Sequence, residues 1–599
     1  MKLNALDIAI IAGFFALTLG TGLYFARRAK RSMLDYFLSH RSMPWWLAGT
    51  TMVATTFSAD TPLAVTEMVV KQGVAGNWLW WSMLPSGMLT VFFFARLWRR
   101  AEVVTDVELT ELRYSGRQAA FLRGFRAVYL GLIVNVIVMG WVNLGMAKVL
   151  SGTLGIPKWT ALAVCLLVTF SYTVVSGYWG VAVTDGMQYL FEMGGAIILA
   201  VVAVGAVGGM DALKAGLASA HPAGTPAGTT FGDAASVLAF WPTGGSSWVV
   251  PAITLAALLG LNWWASWYPG SEPGGGGYVA QNMLACKTEG DARAATLFFN
   301  IAHYALRSWP WVITALCSLV LYGGAVRNAS GGEDPGANYV RVMVDVLPNG
   351  LRGLMIASFA AAFMSTQATQ MNWGSSYLVN DLYRRFIRRS AAERHYVNVS
   401  RAATLLTLVL STVVTLLMDQ VSHAWEFLLM LGAGTGLVYI LRWYWWRVNA
   451  WSEVSAMASA LTVSLVLRFV VDTSTPSGFA LSLILTTLIT TLVWLAVTFT
   501  TSAEPDETLR AFYLRVRPDG PGWRGIARAT GVAPRRGAIV RNTAYWLLGI
   551  ALVYSVMFAT GAFLFGQTAK LALFGTIAAA SGVALTVLLR KETEEPSLV

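Results

Sequence analysis

The stretch Ala357–Asp381, ASFAAAFMSTQATQMNWGSSYLVND, decides the fold, because it is apolar enough for a membrane yet carries polar side chains at helical spacing. Those that share one face of a helix are Ser358, Ser365, Thr369, Asn372 and Ser376. Hydroxyls in a membrane helix usually serve close packing, with hydrogen bonds to the next helix. The adjacent hydroxyls of Ser365 and Thr366 indicate a second role, since together they offer two oxygens to one small, hard cation. Such a site also needs carbonyl oxygens freed where another helix is broken.

Composition predicts a helical membrane protein. Of the 599 residues, 56% are hydrophobic and only 12% are charged, about half the charged fraction of a soluble domain. A formal charge of +12 would suit a nucleic-acid partner, but the basic residues cluster in short loops between apolar runs. In that position they set topology and contact anionic lipid. Cys165, Cys286 and Cys317 lie in or beside apolar segments, so no disulfide framework is predicted.

About fifteen membrane spans are predicted from runs long enough to cross a bilayer. They cover residues 5–26, 43–72, 77–99, 122–150, 157–177, 181–209, 247–286, 292–323, 350–383, 399–419, 423–446, 449–472, 478–500, 542–565 and 569–590. The predicted units are a first anchor helix with its cytoplasmic loop, two repeats separated by an extracytoplasmic loop, additional helices, a basic cytoplasmic linker, and two last helices with a tail. Their bounds are 1–42, 43–209, 210–246, 247–446, 447–500, 501–541 and 542–599.

Basic residues predict the orientation. Arginines and lysines follow the first, third and ninth spans and fill 501–541, whereas the opposite loops 210–246 and 324–349 are rich in glycine and alanine. The positive-inside rule then places the N-terminus outside and the C-terminus in the cytoplasm of a cell inner (plasma) membrane. The first segment runs into RRAKR without a small-residue cleavage site, so it is predicted to be a retained anchor.

The second span contains a helix break. Its sequence TTFSADTPLAVTEM carries Asp60 near the middle of an apolar run, with Pro62 two residues later. Proline removes a backbone donor and clashes with the preceding turn, so we expect the helix to unwind around Ser58–Thr61. A carboxylate at membrane depth is costly and marks a functional candidate, the alternative being a structural hydrogen bond inside the bundle.

The seventh span contains a second break, LNWWASWYPGSEPGGGGYVAQ, in which two prolines and several glycines exclude one continuous helix. Its glycines are not a phosphate-binding loop, because no Gly-Lys-Ser/Thr follows; GAGTG at 432–436 fails for the same reason. Each break opens a block of about five spans, which is typical of a secondary transporter built from inverted repeats.

These residues resemble the sodium/solute symporter family, which includes sodium/proline, sodium/galactose and sodium/sialic acid transporters. The resemblance covers roughly residues 5–500 and rests on AAFMSTQATQMNWGSSYLVNDLY (361–383), YTVVSGYWGVAVTDGMQY (172–189) and the SADTP break followed by Gln281-Asn282. It implies an all-α polytopic fold with a leucine-transporter-type five-plus-five inverted-repeat core, extra flanking helices, and alternating access driven by sodium.

The resemblance also implies an ion site. The residues it assigns to sodium are the backbone carbonyls of Ser58, Thr61 and Ala362 and the hydroxyls of Ser365 and Thr366. A possible second sodium or coupling site would use Asp185 and Thr369, with Asp60 at the position of an acid important for sodium in proline carriers. Gln188 and Glu192 follow Asp185 at helical spacing and extend its polar face.

The candidate substrate-binding residues are Asp60, Asn262, Trp263, Trp264, Glu272 and Arg307. Asn262 and the two tryptophans lie where sugar carriers place a polar contact and an aromatic gate, although packing explains the tryptophans equally well. Arg307 falls near a lysine that contacts sugar in the galactose carrier. A guanidinium inside a span needs a partner, and three alternatives are Glu272, Asp60 or an anionic substrate.

The sequence therefore predicts a sodium-coupled symporter of a small polar organic solute, such as a sugar, carboxylate or amino-acid-like compound. Two alternatives are a proton-coupled symporter of the same fold, through Asp60 or Asp185, and a transporter-like membrane sensor. An intramembrane enzyme is disfavoured because the five histidines are scattered, and an ATP-driven pump because no P-loop is present. The expected partners are sodium, the solute and membrane lipid, with no nucleic acid and no obligatory protein partner.

Overall fold

The computed structural model describes residues 3–25, 32–155, 157–242, 250–264, 272–327, 331–418, 428, 432–473 and 475–594. In this part of the chain the regular elements are helices. From the N-terminus to the middle of the chain they are α1 (Ala5–Phe25), α2 (Met33–Leu38), α3 (Trp45–Thr56), α4 (Thr61–Gln72), α5 (Trp78–Trp81), α6 (Leu84–Leu89), α7 (Ala95–Ala101), α8 (Leu109–Arg113), α9 (Gly116–Val128), α10 (Asn135–Leu154), α11 (Lys158–Val207), α12 (Met210–Leu217), α13 (Ala234–Val237), α14 (Ala252–Gly260) and α15 (Gly277–Ala285).

The remaining helices follow in the same all-helical pattern. They are α16 (Glu289–Asn300), α17 (Ser308–Tyr322), α18 (Ala337–Val346), α19 (Leu351–Ser376), α20 (Glu393–Leu416), α21 (Gly436–Tyr444), α22 (Ala450–Val470), α23 (Pro476–Thr500), α24 (Asp506–Val516), α25 (Arg524–Thr530), α26 (Ala538–Leu564) and α27 (Thr568–Glu594). Turns of π-helix at Thr90–Phe94, Tyr129–Val134, Ile301–Leu306 and Tyr377–Ile387 join or extend helices along the same path.

Within the described residues, 10 helices are long and apolar enough to cross a membrane. The two broken helices and the polar α19 are not among these 10, because breaks shorten a helix and hydroxyls lower its hydropathy. The eleventh predicted span, 423–446, lies partly outside the described residues, so fifteen spans stays a prediction. In α11 the backbone departs from helical geometry at Gly177, with φ 58°, which separates the two spans predicted there.

The first predicted break is confirmed. Helix α3 ends at Thr56, Phe57 has φ −90° and ψ 74°, and α4 starts at Thr61. Pro62 lies in the first turn of α4, where its missing N–H removes no helical hydrogen bond. The chain between the two helices is held by hydrogen bonds from Thr61 N to Ser58 O, 3.1 Å, and from Ala64 N to Asp60 O, 2.9 Å.

The second predicted break is confirmed as well. Helix α14 ends at Gly260, a short 3₁₀ turn covers Asn262–Trp264, and α15 starts only at Gly277. Gly274 and Gly275 take φ values of 90° and 88°, a conformation that L side chains rarely adopt. The glycine run therefore serves backbone geometry between two half-helices.

Helix α19 lies at the centre of the bundle, and every residue from Met355 to Ser376 is buried. Small residues allow its neighbours to approach closely. A Cβ at Gly195 of α11 would lie 2.6 Å from the Ser358 hydroxyl, and a Cβ at Gly374 would lie 2.8 Å from the carbonyl of Gly131. The polar face of α19 is thus pressed against α11 on one side and the start of α10 on the other.

The segment predicted as a basic linker, 501–541, contains α24 and α25. Trp523 is buried between them, stacks on Phe512 at 5.5 Å and donates its indole N–H to the carbonyl of Trp443. The guanidinium of Arg113 lies 5.0 Å from the Trp523 ring and donates to the carbonyl of Arg442. These contacts fix the segment against the end of α21.

Candidate functional site

The end of α3 and the middle of α19 meet at a group of buried hydroxyls. Thr366 Oγ1 donates to the carbonyl oxygen of Thr55, 2.9 Å away, and also to that of Ala362 at 3.1 Å. The Ser365 hydroxyl beside it is fully buried and lies near the Asp185 carboxylate of α11. The Thr366 hydroxyl of α19 is therefore bonded to the end of the broken helix, 311 residues earlier in the sequence, and the Ser365 hydroxyl is buried next to it.

Helix α11 adds a carboxylate to the same place. Thr55 Oγ1 donates to Thr369 Oγ1 at 3.0 Å, and Thr369 Oγ1 donates to Asp185 Oδ2 at 3.4 Å. Asp185 is fully buried, and its other oxygen has no hydrogen-bond donor among the described residues. We call Thr55, Asp185, Ser365, Thr366 and Thr369 the hydroxyl site.

Among the other predicted ion ligands, Ala362 accepts from Thr366, whereas Ser58 and Thr61 share no hydrogen bond with the hydroxyl site in the described residues. Ser58 and Thr61 are bonded to each other across the break, and Thr61 is already the first residue of α4. Asp60 is buried at the break, where a Cβ on Gly145 of α10 would lie 3.0 Å from its Cα. The carbonyl that Thr366 reaches is that of Thr55, which sequence reasoning missed because it depends on where α3 ends.

Arg307 lies on the other side of the first break. Its guanidinium donates to Thr56 Oγ1 at 2.9 Å and to the carbonyl of Val53 at 3.4 Å. It also lies 3.2 Å from Nε2 of His303, whose Nδ1 is 3.1 Å from Thr56 Oγ1. Because a guanidinium only donates, Nε2 accepts and Nδ1 carries the proton, so His303 is neutral here.

The direct contacts of Arg307 in the described residues are thus neutral acceptors and two rings, those of Phe57 and Trp311 at 6.0 and 5.4 Å from its guanidinium carbon. Arg307 is only 2% exposed. The structure pairs Glu272 with other arginines, so the alternative of a Glu272–Arg307 ion pair is wrong.

The second break brings Asn262 against α5. Its amide Nδ2 donates to the carbonyl of Leu79 and to Ser82 Oγ, both at 3.1 Å. Trp80, between these two residues, contacts the His303 ring at 5.6 Å and stacks on Tyr304 at 5.8 Å. Trp80 therefore connects the surroundings of Asn262 with those of Arg307, a link that the sequence did not indicate.

Trp263 and Trp264 belong to the 3₁₀ turn Asn262–Trp264; the side chain of Trp263 lies outside the described residues. The carbonyl of Trp264 packs on Gly436, where a Cβ would lie 1.6 Å from that oxygen. Gly434 packs in the same way on Thr490. Two glycines of GAGTG at 432–436, Gly434 and Gly436, thus permit close contact with neighbouring segments.

Glu272 belongs to a second group of buried charges, Arg126, Glu272, Arg442 and Glu453, which we call the ion cluster. Arg126 pairs with Glu272 at 2.9 Å and with Glu453 at 2.8 Å, while Arg442 lies 3.6 and 3.5 Å from the same two carboxylates. Tyr439 lies between the guanidiniums, 4.9 Å from each. The two guanidiniums and two carboxylates of the cluster therefore balance in formal charge.

Helix α15, beyond the second break, is fixed to α19 and α11. Gln281 Nε2 donates to Asn372 Oδ1 at 2.8 Å, and Tyr178 OH donates to Asn282 Oδ1 at 2.5 Å. Glu67 and Lys71 form the expected ion pair, at 2.6 Å, on the partly exposed side of α4. Both broken helices are therefore tied to the polar face of α19 or to the helix beside it.

A membrane bundle with two broken helices, and with a buried site of hydroxyls and a carboxylate beside the first break, defines a secondary transporter. A sequence model of the Sodium:solute symporter family matches residues 36–462. Similar proteins include the sodium/glucose cotransporter of Vibrio parahaemolyticus, 24% identical over 526 residues that cover 84% of this chain and 92% of the relative. The sodium/mannose cotransporter of Bos taurus is 26% identical over 497 residues, which cover 78% of this chain and 80% of the relative.

A solved structure of a Na+-coupled sialic acid symporter, in a substrate-bound outward-open state, shares the fold. It matches with a TM-score of 0.67 at 19% identity and covers 84% of this chain and 99% of that chain. The chain belongs to the sodium:solute symporter family. It is a multi-pass membrane transporter that couples solute movement to sodium, and the predicted fold class and activity are confirmed.

Proposed function

We propose that a sodium ion binds in the hydroxyl site, between the end of α3 and the middle of α19. Its ligands are the carbonyl oxygens of Thr55 and Ala362 and the hydroxyls of Ser365 and Thr366, with the Ser58 carbonyl beside them. The observation that supports this site is the bond from Thr366 Oγ1 to Thr55 O, 2.9 Å. A hard cation inserted there would replace one hydrogen bond by several oxygen contacts. Thr61 stays a ligand predicted from the resemblance alone.

This site explains coupling in physical terms. A sodium ion bound by both α3 and α19 stabilises the conformation in which these two helices are close. Only an ion that binds one conformation better than the other can drive alternating access. Asp185 and Thr369, joined to Thr55 by hydrogen bonds, supply the negative charge and form a second coupling position next to the first.

The test is sodium affinity in proteoliposomes that contain the purified protein. We expect Thr366→Ala and Ser365→Ala to weaken apparent sodium affinity about tenfold, or about 1.4 kcal/mol, without loss of membrane insertion. Thr407→Ala is the matched control, because among the described residues that buried hydroxyl donates to the carbonyl of Thr404 in its own helix α20. Unchanged sodium dependence in both site variants would show that the ion binds elsewhere.

We further propose that the solute binds between the two breaks, beside Arg307, Trp80 and Asn262. A guanidinium with neutral partners favours hydroxyl or carboxylate acceptors, and an aromatic ring favours the apolar face of a sugar ring. Relatives named for glucose and mannose support a hydroxyl-rich solute. Asp60 and the two tryptophans after Asn262 stay substrate candidates.

A thermal-shift screen of glucose, mannose, sialic acid and proline, with sodium and with choline, tests this class. We expect a sodium-dependent shift from a sugar, reduced by Arg307→Lys, since an ammonium cannot reproduce the guanidinium fork. Arg341→Lys is the control, because Arg341 forms an exposed pair with Asp345. A shift from proline alone, equal in both variants, would contradict the proposal.

We also propose that the protein lies in the inner (plasma) membrane with its N-terminus outside, its C-terminus in the cytoplasm, its basic loops on anionic lipid, and no obligatory protein partner. Arg96 and Arg293 both pair with Glu592, at 2.5 and 2.7 Å, which fixes the end of α27 among the basic helix ends. Fluorescent and phosphatase fusions at the C-terminus test this orientation, and phosphatase activity alone would contradict it.

A further inference from the structure

Glu192 lies on α11 seven residues after Asp185, about 10 Å or two turns along the same face. Both side chains are fully buried. Neither oxygen of the Glu192 carboxylate has a hydrogen-bond donor within the described residues. Buried carboxylates without partners are rare, because each unmade hydrogen bond costs about 1–3 kcal/mol and an ionised group costs more.

Gln188 lies between the two acids on this face, three residues after Asp185 and four before Glu192. It is fully buried, and both its amide oxygen and its amide nitrogen lack partners in the described part of the chain. The Gln188 amide and the Glu192 carboxylate, one helical turn apart, thus both lack hydrogen-bond partners in the described residues. Such a pair indicates a position where a ligand or a proton binds.

We call Asp185, Gln188 and Glu192 the α11 stripe. This stripe faces α19, the helix that carries most of the hydroxyl site. Ser358 Oγ of α19 donates to the backbone carbonyl of Glu192 at 3.3 Å, and Thr369 of α19 donates to Asp185. Helices α11 and α19 are therefore antiparallel neighbours along this length, so Glu192 lies on the same interface as the hydroxyl site.

No positive group neutralises Glu192 by direct contact within the described residues. Arg307 interacts with it electrostatically, yet the hydrogen bonds of Arg307 go to Thr56, Val53 and His303. On α11 itself the titratable groups near Glu192 are Asp185 and Tyr189, neither of them a cation at neutral pH.

Helices α1, α3, α17 and α19, the main neighbours of α11, add little charge. The charged groups of its smaller neighbours, α2, α10, α12, α18 and α20, are Asp35, Lys148, Asp211, Lys214, Arg341, Asp345, Glu393, Arg394 and Arg401. Helices α3 and α17 contain no charged residue, and neutral His303 lies just before α17. Helix α19 contains only Arg352, in its first turn, and α1 only Asp7, whose carboxylate accepts from the backbone of Gly350 and Gly353. A bare negative charge at Glu192 would be costly at membrane depth.

We propose that Glu192, with Gln188, is a proton-binding site whose proton is released when sodium binds at the hydroxyl site. The inference rests on the sodium site proposed above. In the sodium-free protein the protonated carboxyl donates to the Gln188 amide oxygen. When sodium arrives beside Asp185, its charge stabilises the Glu192 carboxylate; the O–H bond breaks and the proton passes to water, so that one positive charge enters as one leaves.

A proton fits this position better than a second sodium ion. A hard cation of this size takes about six oxygen ligands, whereas the stripe around Glu192 offers its own two oxygens and one from Gln188, with the Ser358 hydroxyl already donating to the backbone. A proton needs one acceptor and one hydrogen-bond partner, which Glu192 and Gln188 provide.

The test uses the purified full-length protein and sodium alone, with choline as the reference cation. Sodium binding is titrated calorimetrically across neutral pH in buffers that differ in ionisation enthalpy, which reports protons released. We expect wild-type sodium affinity to rise with pH, by about tenfold per pH unit at the limit of one proton per sodium. In Glu192→Gln, sodium still binds but the pH dependence and the proton release are lost.

Glu67→Gln is the matched control, because it makes the same change in an acid paired with Lys71 on α4, and it should keep the wild-type proton release. Equal proton release in wild type and Glu192→Gln would overturn the proposal, as would sodium binding to wild type without any proton release.

Infrared spectra of the sodium-free proteins give an independent readout. A protonated carboxyl band that is present in wild type and absent in both Glu192→Gln and Glu192→Met supports the proposal, and an unchanged spectrum overturns it. If wild type binds no sodium, the proposed sodium site fails, while the infrared band still decides the state of Glu192.

Discussion

The hydroxyl site holds one acidic side chain, Asp185, and no basic one, whereas the ion cluster holds two of each sign. Both are buried where helix ends or breaks meet other helices. In the hydroxyl site, Asp185 and Ser365 keep oxygens without donors in the described residues. In the ion cluster each carboxylate lies within 3.6 Å of two guanidiniums. A site that must bind and release an ion leaves its oxygens available, while a contact that only joins helices balances its own charge.

The largest effect is expected from breaking the ion cluster. Arg126→Met removes the guanidinium that pairs with both Glu272 and Glu453, which leaves buried negative charge with Arg442 alone. We expect a loss of about 3–5 kcal/mol in stability, measured by thermal unfolding in detergent. The control is Lys71→Met, which breaks an exposed pair and should cost less than about 1 kcal/mol. Equal losses in the two variants would show that the cluster is not a buried, mutually dependent unit.

The opposite outcome is expected in the hydroxyl site. Asp185→Asn removes a charge that no basic residue contacts in the described part of the chain, so folding should survive. Sodium affinity should fall about ten- to a hundredfold, or about 1.4–2.7 kcal/mol, because the amide does not supply negative charge. Sodium titration of the purified protein measures this, with Asp35→Asn, on α2, as the control. A variant that is less stable than wild type but binds sodium with unchanged affinity would contradict this. It would show that Asp185, like the ion cluster, serves stability.

A smaller effect is expected from separating α11 and α19. A methyl group at Gly195 would lie 2.6 Å from the Ser358 hydroxyl, whereas one at the neighbouring Gly194 meets nothing within 4 Å. We expect Gly195→Ala to cost about 1 kcal/mol and to weaken sodium binding, since the hydroxyl site spans this interface. Gly194→Ala should leave both unchanged. Equal sodium affinity in Gly195→Ala and Gly194→Ala would show that sodium binding does not depend on this helix contact.

The two regions also differ in how far the sequence predicts them. Pro62 and the run PGSEPGGGG predict the two helix breaks, because proline and glycine act through local backbone geometry. The hydroxyls of Ser365, Thr366 and Thr369 follow from helical spacing on one segment. The ion cluster joins residues 126, 272, 442 and 453, whose pairing depends on tertiary packing that one sequence without an alignment does not show.

The same reasoning explains the finer misses. Thr55 became a site residue because α3 ends at Thr56, and helix ends are uncertain by a few residues from pattern alone. Glu272 was considered as a partner for Arg307 because both are charges at membrane depth; charge type gives the need for a partner but not its identity. The helices within 501–541 went unpredicted because the segment is rich in arginine, glycine and proline, while its anchoring depends on Trp523 meeting Phe512 and Trp443.

The smallest effect is expected from a partly exposed ion pair, and it tests whether burial determines how much a pair contributes to stability. Glu111, on the short helix α8 outside the spans, accepts from Arg123 at 2.7 Å and Arg385 at 2.9 Å, with a side chain 20% exposed. Burial raises the pKa of Glu111, but the hydrogen bonds from Arg385 and Arg123 outweigh it and hold the pKa below its ordinary value of 4.5. Because the folded-state pKa is depressed, the charge of Glu111 stabilises the protein at pH values above the ordinary carboxyl range. This stabilisation is lost as pH falls through the folded pKa.

Glu111→Gln should therefore cost less than about 1 kcal/mol in stability at neutral pH. Thermal unfolding should show that the difference in stability from wild type narrows as pH falls below 4.5. Glu102→Gln, in a pair whose acid is 60% exposed, should show no difference at either pH, and a Glu111 effect as large as that of Arg126→Met would mean that burial does not set the strength of these pairs.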